Sequence, residues 1–157
     1  MARRMAIVLV RWTVGGTLLA AGLMKWMDPW QFGWTVARYP WVREPFGLLL
    51  GGWLIWIELW VGAALLAWPK LRHGAWVLSS ALFALFAVAI VLALVHHRSI
   101  PCGCFGVHAL RTVSWAHALA DLAAAVLCGC MARKDLASAR SEAPGKAFRA
   151  RAGRWVP

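Results

Sequence analysis

The sequence predicts an all-α membrane protein, a bundle of four transmembrane helices with both termini in the cytoplasm. Three observations predict it. The first is composition: 62% of the 157 residues are hydrophobic and 15% are charged, with a mean hydropathy of +0.64. That is more apolar residue than a soluble domain of this size needs. The second is segmentation. Residues 5–26, 46–68, 74–95 and 113–131 are apolar runs, and a bilayer takes about 20 apolar residues to cross. The third is charge. Arg3, Arg4, Lys70, Arg72, Arg133, Lys134, Arg140, Lys146, Arg149, Arg151 and Arg154 fall on one side of such a bundle. Only Arg38, Arg43, Arg98, Arg111 and the border residue Lys25 fall on the other. The excess of basic residues marks the cytoplasmic side.

The first run follows Arg3 and Arg4 in the manner of a signal peptide. It is too long for an h-region and no small-residue cleavage site ends it, so it reads as an uncleaved helix. Gly15, Gly16, Ala20, Ala21 and Gly22 in this run permit close helix packing. Asp28-Pro29 ends it. Trp26, Trp30 and Trp34 recur every four residues, which places them on one face of a short interfacial helix. Tyr39-Pro40 and Glu44-Pro45 stop that helix. Trp53, Trp56 and Trp60 lie at helical spacing in the second run. An aromatic belt at the two interfaces accounts for most of the 12 tryptophans. Trp53 and Trp56 are the candidates to line a slot for a flat hydrophobic ring such as a quinone. The third run carries no polar landmark and reads as structural. The fourth carries His117 and Asp121 one turn apart. The connections are too short for a separate soluble domain. Residues 1–131 therefore form one membrane domain, and the basic stretch 132–157 reads as a disordered cytoplasmic tail. The net charge of +11 does not signal nucleic acid, since no binding motif or single basic face accompanies it.

The most informative stretch is Cys102-Gly103-Cys104-Phe105-Gly106, in the loop between the third and fourth runs. With the termini inside, this loop faces the periplasm, where disulfides form and persist. A disulfide stabilises by closing a loop, and this one would enclose a single residue. The ring is strained, and strained exposed disulfides exchange readily. Arg98, His108 and Arg111 flank the pair, and positive charge favours the thiolate. Gly103 removes bulk between the sulfurs, and Gly106 lets the chain turn back. The pair reads as the catalytic thiols of a disulfide exchange. A static disulfide or a zinc site are the alternatives, and the spacing is poor for zinc. Cys128 and Cys130 lie two apart on a helix, where side chains do not face each other, and read as ordinary small residues.

Charged residues inside the runs are the second signal, because an intramembrane charge is costly unless paired. Arg11 stands about 10 Å above the cytoplasmic end of its helix, and Glu58 and Asp121 each stand about 15 Å above it. The expectation is an Arg11–Glu58 pair, with Asp121 able to join it. It is either a structural ion pair or a proton or quinone site beneath the thiols, with His117 continuing a relay outward.

These landmarks, in their order, resemble the methylamine-utilisation MauE family, within the wider DoxX-like group of four-helix membrane proteins. Arg11 sits early in the first helix. Ala21-Gly22-Leu23-Met24-Lys25 followed by Asp28-Pro29 resembles the family's helix end, and Phe32 and Tyr39-Pro40 follow. Glu58 with Gly62, the Cys102–Gly106 element, Val113-Ser114-Trp115 and Asp121 complete the resemblance, over about residues 8 to 131. Ala120 stands where the pattern leads one to expect a basic residue.

The resemblance implies an inner-membrane protein of periplasmic thiol–disulfide handling. It implies a thioredoxin-like partner resembling MauD and a disulfide-rich client such as the methylamine dehydrogenase small (beta) subunit. Two other functions stay open: a quinone-linked DoxX-like oxidoreductase, and a non-catalytic membrane chaperone or anchor. A quinone is the one cofactor the reading admits. No metal site is expected.

Overall fold

A computed structural model describes the backbone of residues 2–39, 42, 46–96 and 113–152, and side chains within 5–39, 42, 46–96 and 113–137. The Cys102–Gly106 element, with Arg98, His108 and Arg111, lies outside the described residues. The described elements are helical: α1 (Ala2–Trp26), α2 (Pro29–Ala37), α3 (Phe46–Ala67), a 3₁₀ turn (Pro69–Leu71), α4 (Arg72–Val95) and α5 (Trp115–Ala152). Four of them, α1, α3, α4 and α5, are long and apolar enough to cross a membrane. The last helix does not stop at Met131 but runs on to Ala152, through the stretch read from sequence as a disordered tail.

The short α2 exists because Asp28 breaks the chain direction. Its side chain accepts a hydrogen bond from the Gln31 backbone N–H at 3.0 Å, and Pro29 opens the helix, where a missing N–H costs nothing. This break also corrects one expectation. Trp26 ends α1 while Trp30 and Trp34 belong to α2, so the three do not form one stripe. Trp26 instead meets Trp56 edge to face at 5.0 Å, and Trp30 meets Trp34 at 6.4 Å.

The helices pack as two close pairs, α1 with α3 and α4 with α5, and α2 lies along the start of α3. Small residues set the first pair. A methyl group on Gly15 would stand 2.9 Å from Leu66, and one on Gly62 would stand 3.0 Å from the Gly15 carbonyl. Both glycines therefore let the backbones touch. Gly16 borders open space, so only part of the small-residue run in α1 forms the seam. In the second pair, Ser80 donates to the Ala125 carbonyl at 2.8 Å and His73 Nδ1 to the Ala132 carbonyl at 3.1 Å. Large side chains fill the space between the pairs, among them Trp76, Leu82 and Phe83 from α4 and Val14 and Leu18 from α1.

The tryptophans sort by this packing. Trp76 is buried in the core, whereas Trp12, Trp53, Trp60 and Trp115 point outward. Outward aromatic and aliphatic side chains are what a lipid-facing surface carries. Trp53 and Trp56 belong to that surface, so they do not form an internal slot.

Candidate functional site

Two opposite charges meet inside the bundle. Lys25, from the end of α1, donates from Nζ to Oε1 of Glu58 in the middle of α3. Both side chains are closed off, at 1% and 0% exposure. Lys25 Nζ also lies 5.2 Å from the centre of the Phe32 ring and 5.1 Å from that of Phe86. An ammonium has three N–H groups. Here one meets a carboxylate, and two aromatic faces are at cation–π distance. One helix end, one mid-helix carboxylate, α2 and α4 thus converge on a single nitrogen. Oε2 of Glu58 is buried without a hydrogen-bond partner.

This corrects the expected Arg11–Glu58 pair. Gly15 packs against Leu66 and Gly22 against Leu59, which sets the register of α1 on α3. Glu58 is then level with Gly22. Arg11 is eleven residues away along α1, about 16 Å at the helical rise. Lys25 was placed at the membrane border because it ends a helix. Its four-carbon stem instead turns inward beneath α2. The signal was present in the spacing: Val14, Leu18, Ala21 and Lys25 follow one helical stripe, and all four are buried.

The other polar candidates disperse. Asp28 caps α2 and has a structural role. Asp121 is half-buried on the stripe of α5 that carries Ala118, Ala125 and Cys128. His117 Nδ1 meets Ser114 Oγ at 2.7 Å, a contact at the start of its own helix. Cys128 is buried and Cys130 exposed, both as free thiols, in keeping with two side chains that diverge on a helix. Among the described residues, no three His, Cys, Asp or Glu side chains gather as metal ligands.

Beside the ion pair lies an apolar cavity of about 270 Å³. Phe32 and Phe86, the rings that flank Lys25, form part of its wall. Leu54, one turn from Glu58, is another part, and Tyr39, Ile90 and Val113 line it further out. Thr35, also on the wall, uses its hydroxyl within α2, donating to the Gln31 carbonyl at 3.0 Å. The cavity was missed in the sequence because its walls come from four separate segments of ordinary hydrophobic residues. Ile90 near the end of α4 and Val113 just before α5 bracket the chain segment that holds Cys102 and Cys104. The cavity therefore lies at the end of the bundle where α4 ends and α5 begins. The rings separate an apolar chamber from a buried charge, an arrangement able to receive a flat or aliphatic apolar group above a fixed ion pair.

No curated protein and no solved structure matches the chain. The family described as methylamine utilisation protein MauE matches residues 3–133, which takes in the first three membrane spans, most of the fourth, the Lys25–Glu58 pair and the Cys102–Gly106 element. The chain is a multi-pass membrane protein and belongs to the MauE family.

Proposed function

We propose that this protein handles thiols and disulfides at the periplasmic face of the bacterial inner membrane, with Cys102 and Cys104 as its reacting groups. A thioredoxin-like protein is its partner. Its role is the maturation of a disulfide-rich enzyme, the small (beta) subunit of methylamine dehydrogenase being the client that the family implies. The observation that carries this reading is the family match across the helices on both sides of the Cys-x-Cys connection. The uneven distribution of basic residues supports the orientation.

The chemistry is exchange. A thiolate of one cysteine attacks a sulfur of the partner's disulfide, forming a mixed disulfide and releasing the partner's other sulfur as a thiolate. The second cysteine then attacks its neighbour's sulfur. The intramolecular disulfide closes and the partner leaves fully reduced. Run backward, the same steps oxidise the partner. The test is a non-reducing gel of Cys102→Ser and Cys104→Ser in the native host, with thiols trapped in acid. A single cysteine cannot resolve the mixed disulfide, so a reducible adduct accumulates in at least one of the two variants. If neither variant shows an adduct and the double variant still matures the client, the protein is an anchor or chaperone instead.

The cavity favours a second reading, a quinone-linked oxidoreductase. Apolar walls with two phenylalanine rings suit a quinone ring or its isoprenoid chain. A bound quinone would supply a two-electron, two-proton acceptor, becoming quinol as two thiols become a disulfide. Phe32 and Phe86 would hold the ring, and Lys25 and Glu58 would set the charge beside it. Quinone retained by the purified protein, and lost when the cavity is narrowed, distinguishes this reading from the first.

A further inference from the structure

A second group of buried polar atoms lies at the other end of the bundle, where α1 starts and α3 turns into α4. Arg11 occupies the inward stripe of α1, between Ile7 and Val14, which pack in the central core. Arg72 opens α4 one turn before Ala75 and Trp76, both buried in the same core. Their levels coincide. Gly15 meets Leu66, so Arg11, about 6 Å nearer the start of α1, is level with the Pro69–Leu71 turn that leads directly into Arg72.

Three donors in this region are buried with no acceptor: Nε of Arg11, Nε of Arg72 and Nε1 of Trp76. None of these groups can accept a hydrogen bond, and a guanidinium cannot give up its charge. No acidic side chain answers them among the described residues, and the Lys25–Glu58 pair is about 21 Å away along α1. Asp135, the described acid nearest this end, makes no ion pair. The first turn of α4 also has no side-chain cap. Its opening backbone N–H groups are already used in the preceding 3₁₀ turn, Leu71 donating to the Trp68 carbonyl and Arg72 to the Pro69 carbonyl, so the unmet donors are those of the side chains. A water molecule could satisfy the N–H groups, but it carries no charge to offset two guanidinium groups at one level of the bundle. The missing component is an acceptor that carries negative charge.

We propose that this end of the bundle binds the phosphate of an anionic lipid headgroup, between Arg11 of α1 and Arg72 of α4. A phosphate diester presents only acceptors, carries the opposite charge, and lies at the membrane face near which α4 begins. The neighbouring face of α4 offers room for the lipid's tail. There a groove of about 440 Å³ runs between α4 and α5, with Val77, Ala81 and Ala84 along it and His73 and Arg133 at its polar end. The site is independent of the thiol chemistry and of which leaflet this end occupies.

The test uses the full-length protein in neutral detergent after delipidation. Its thermal unfolding is followed with phosphatidylglycerol, with phosphatidylcholine of the same acyl chains, and with inorganic phosphate. Phosphatidylglycerol should raise the unfolding temperature, and the other two should not. Arg11→Gln and Arg72→Gln should each weaken the lipid titration about tenfold, the loss expected for one charge-assisted contact. Lys70→Gln removes an equal charge from an exposed neighbour and should leave it within about twofold, as a screened surface charge would. Equal stabilisation by both lipids overturns the proposal even if no arginine variant folds. So does a Lys70→Gln loss as large as that of Arg72→Gln, which would mean diffuse attraction to the surface. Stabilisation by inorganic phosphate alone would assign the site to a soluble anion and overturn the lipid.

Discussion

Lys25 and Glu58 hold each other across a separation of 33 residues in sequence, with neither side chain reaching the surface. The pair joins the end of α1 to the middle of α3, and the Phe32 and Phe86 rings tie in α2 and α4. Four elements therefore depend on one ammonium. Removing one partner of a buried pair leaves a charge without compensation and costs about 3–5 kcal/mol. Glu58→Gln and Lys25→Met should each lower the unfolding temperature in detergent and reduce abundance in the membrane. The double change Lys25→Met/Glu58→Leu should recover most of the loss. Trp53→Phe, on the outward surface, should change stability by no more than about 0.5 kcal/mol. Single variants as stable as the wild type would show that the pair does not hold the bundle.

The α1–α3 seam makes a sharper steric prediction. At Gly62 any added methyl group would lie 3.0 Å from the Gly15 carbonyl, which is backbone and cannot swing aside. Gly62→Val should force the helices apart and cost about 1–3 kcal/mol. Gly16→Ala, which would meet nothing within 4 Å, should be neutral or slightly stabilising because alanine favours the helix. Thermal unfolding of the two variants side by side decides the matter. Equal effects would contradict the seam.

Orientation can be read with the native cysteines. In intact spheroplasts a membrane-impermeant thiol reagent should label Cys102 or Cys104 after mild reduction. It should leave Cys130, exposed on the far part of α5, unlabelled until the membrane is opened. The reverse pattern would invert the protein in the membrane and remove the periplasmic reading.

The cavity is tested by filling it. Ala89 lies on its wall and outside the Lys25–Glu58 pair. Ala89→Leu adds bulk there. If a quinone occupies the cavity, this variant should retain several-fold less quinone on purification, measured by extraction and chromatography, with unfolding unchanged. A wild-type protein that retains none, even when supplied with excess quinone, would rule out the second reading.

Membrane spans were the most legible feature in the sequence, because about 20 apolar residues in a row have one stable outcome in lipid. The expected second helix, 46–68, differs from Phe46–Ala67 by one residue. Partner choice was less legible. Arg11 and Lys25 both lie on the inward stripe of α1, and composition alone cannot say which of them meets Glu58. The glycine contacts decide it, since Gly15 on Leu66 and Gly22 on Leu59 set the register. The tryptophan stripe failed for a local reason: a capping Asp28 breaks the helix between Trp26 and Trp30. Lys25 was assigned to a helix end by its position, while its place in the stripe after Ala21 marked it as interior.

The two hydrogen bonds between α4 and α5 have a further consequence. Ser80 lies seven residues beyond His73, and Ala132 lies seven beyond Ala125, so the two bonds are successive rungs of an antiparallel ladder, one heptad apart. Sliding α5 along α4 by a single residue would break both rungs together. An axial step of α5 on α4 costs both bonds at once, which favours tilting or rolling of the two helices together over a piston stroke.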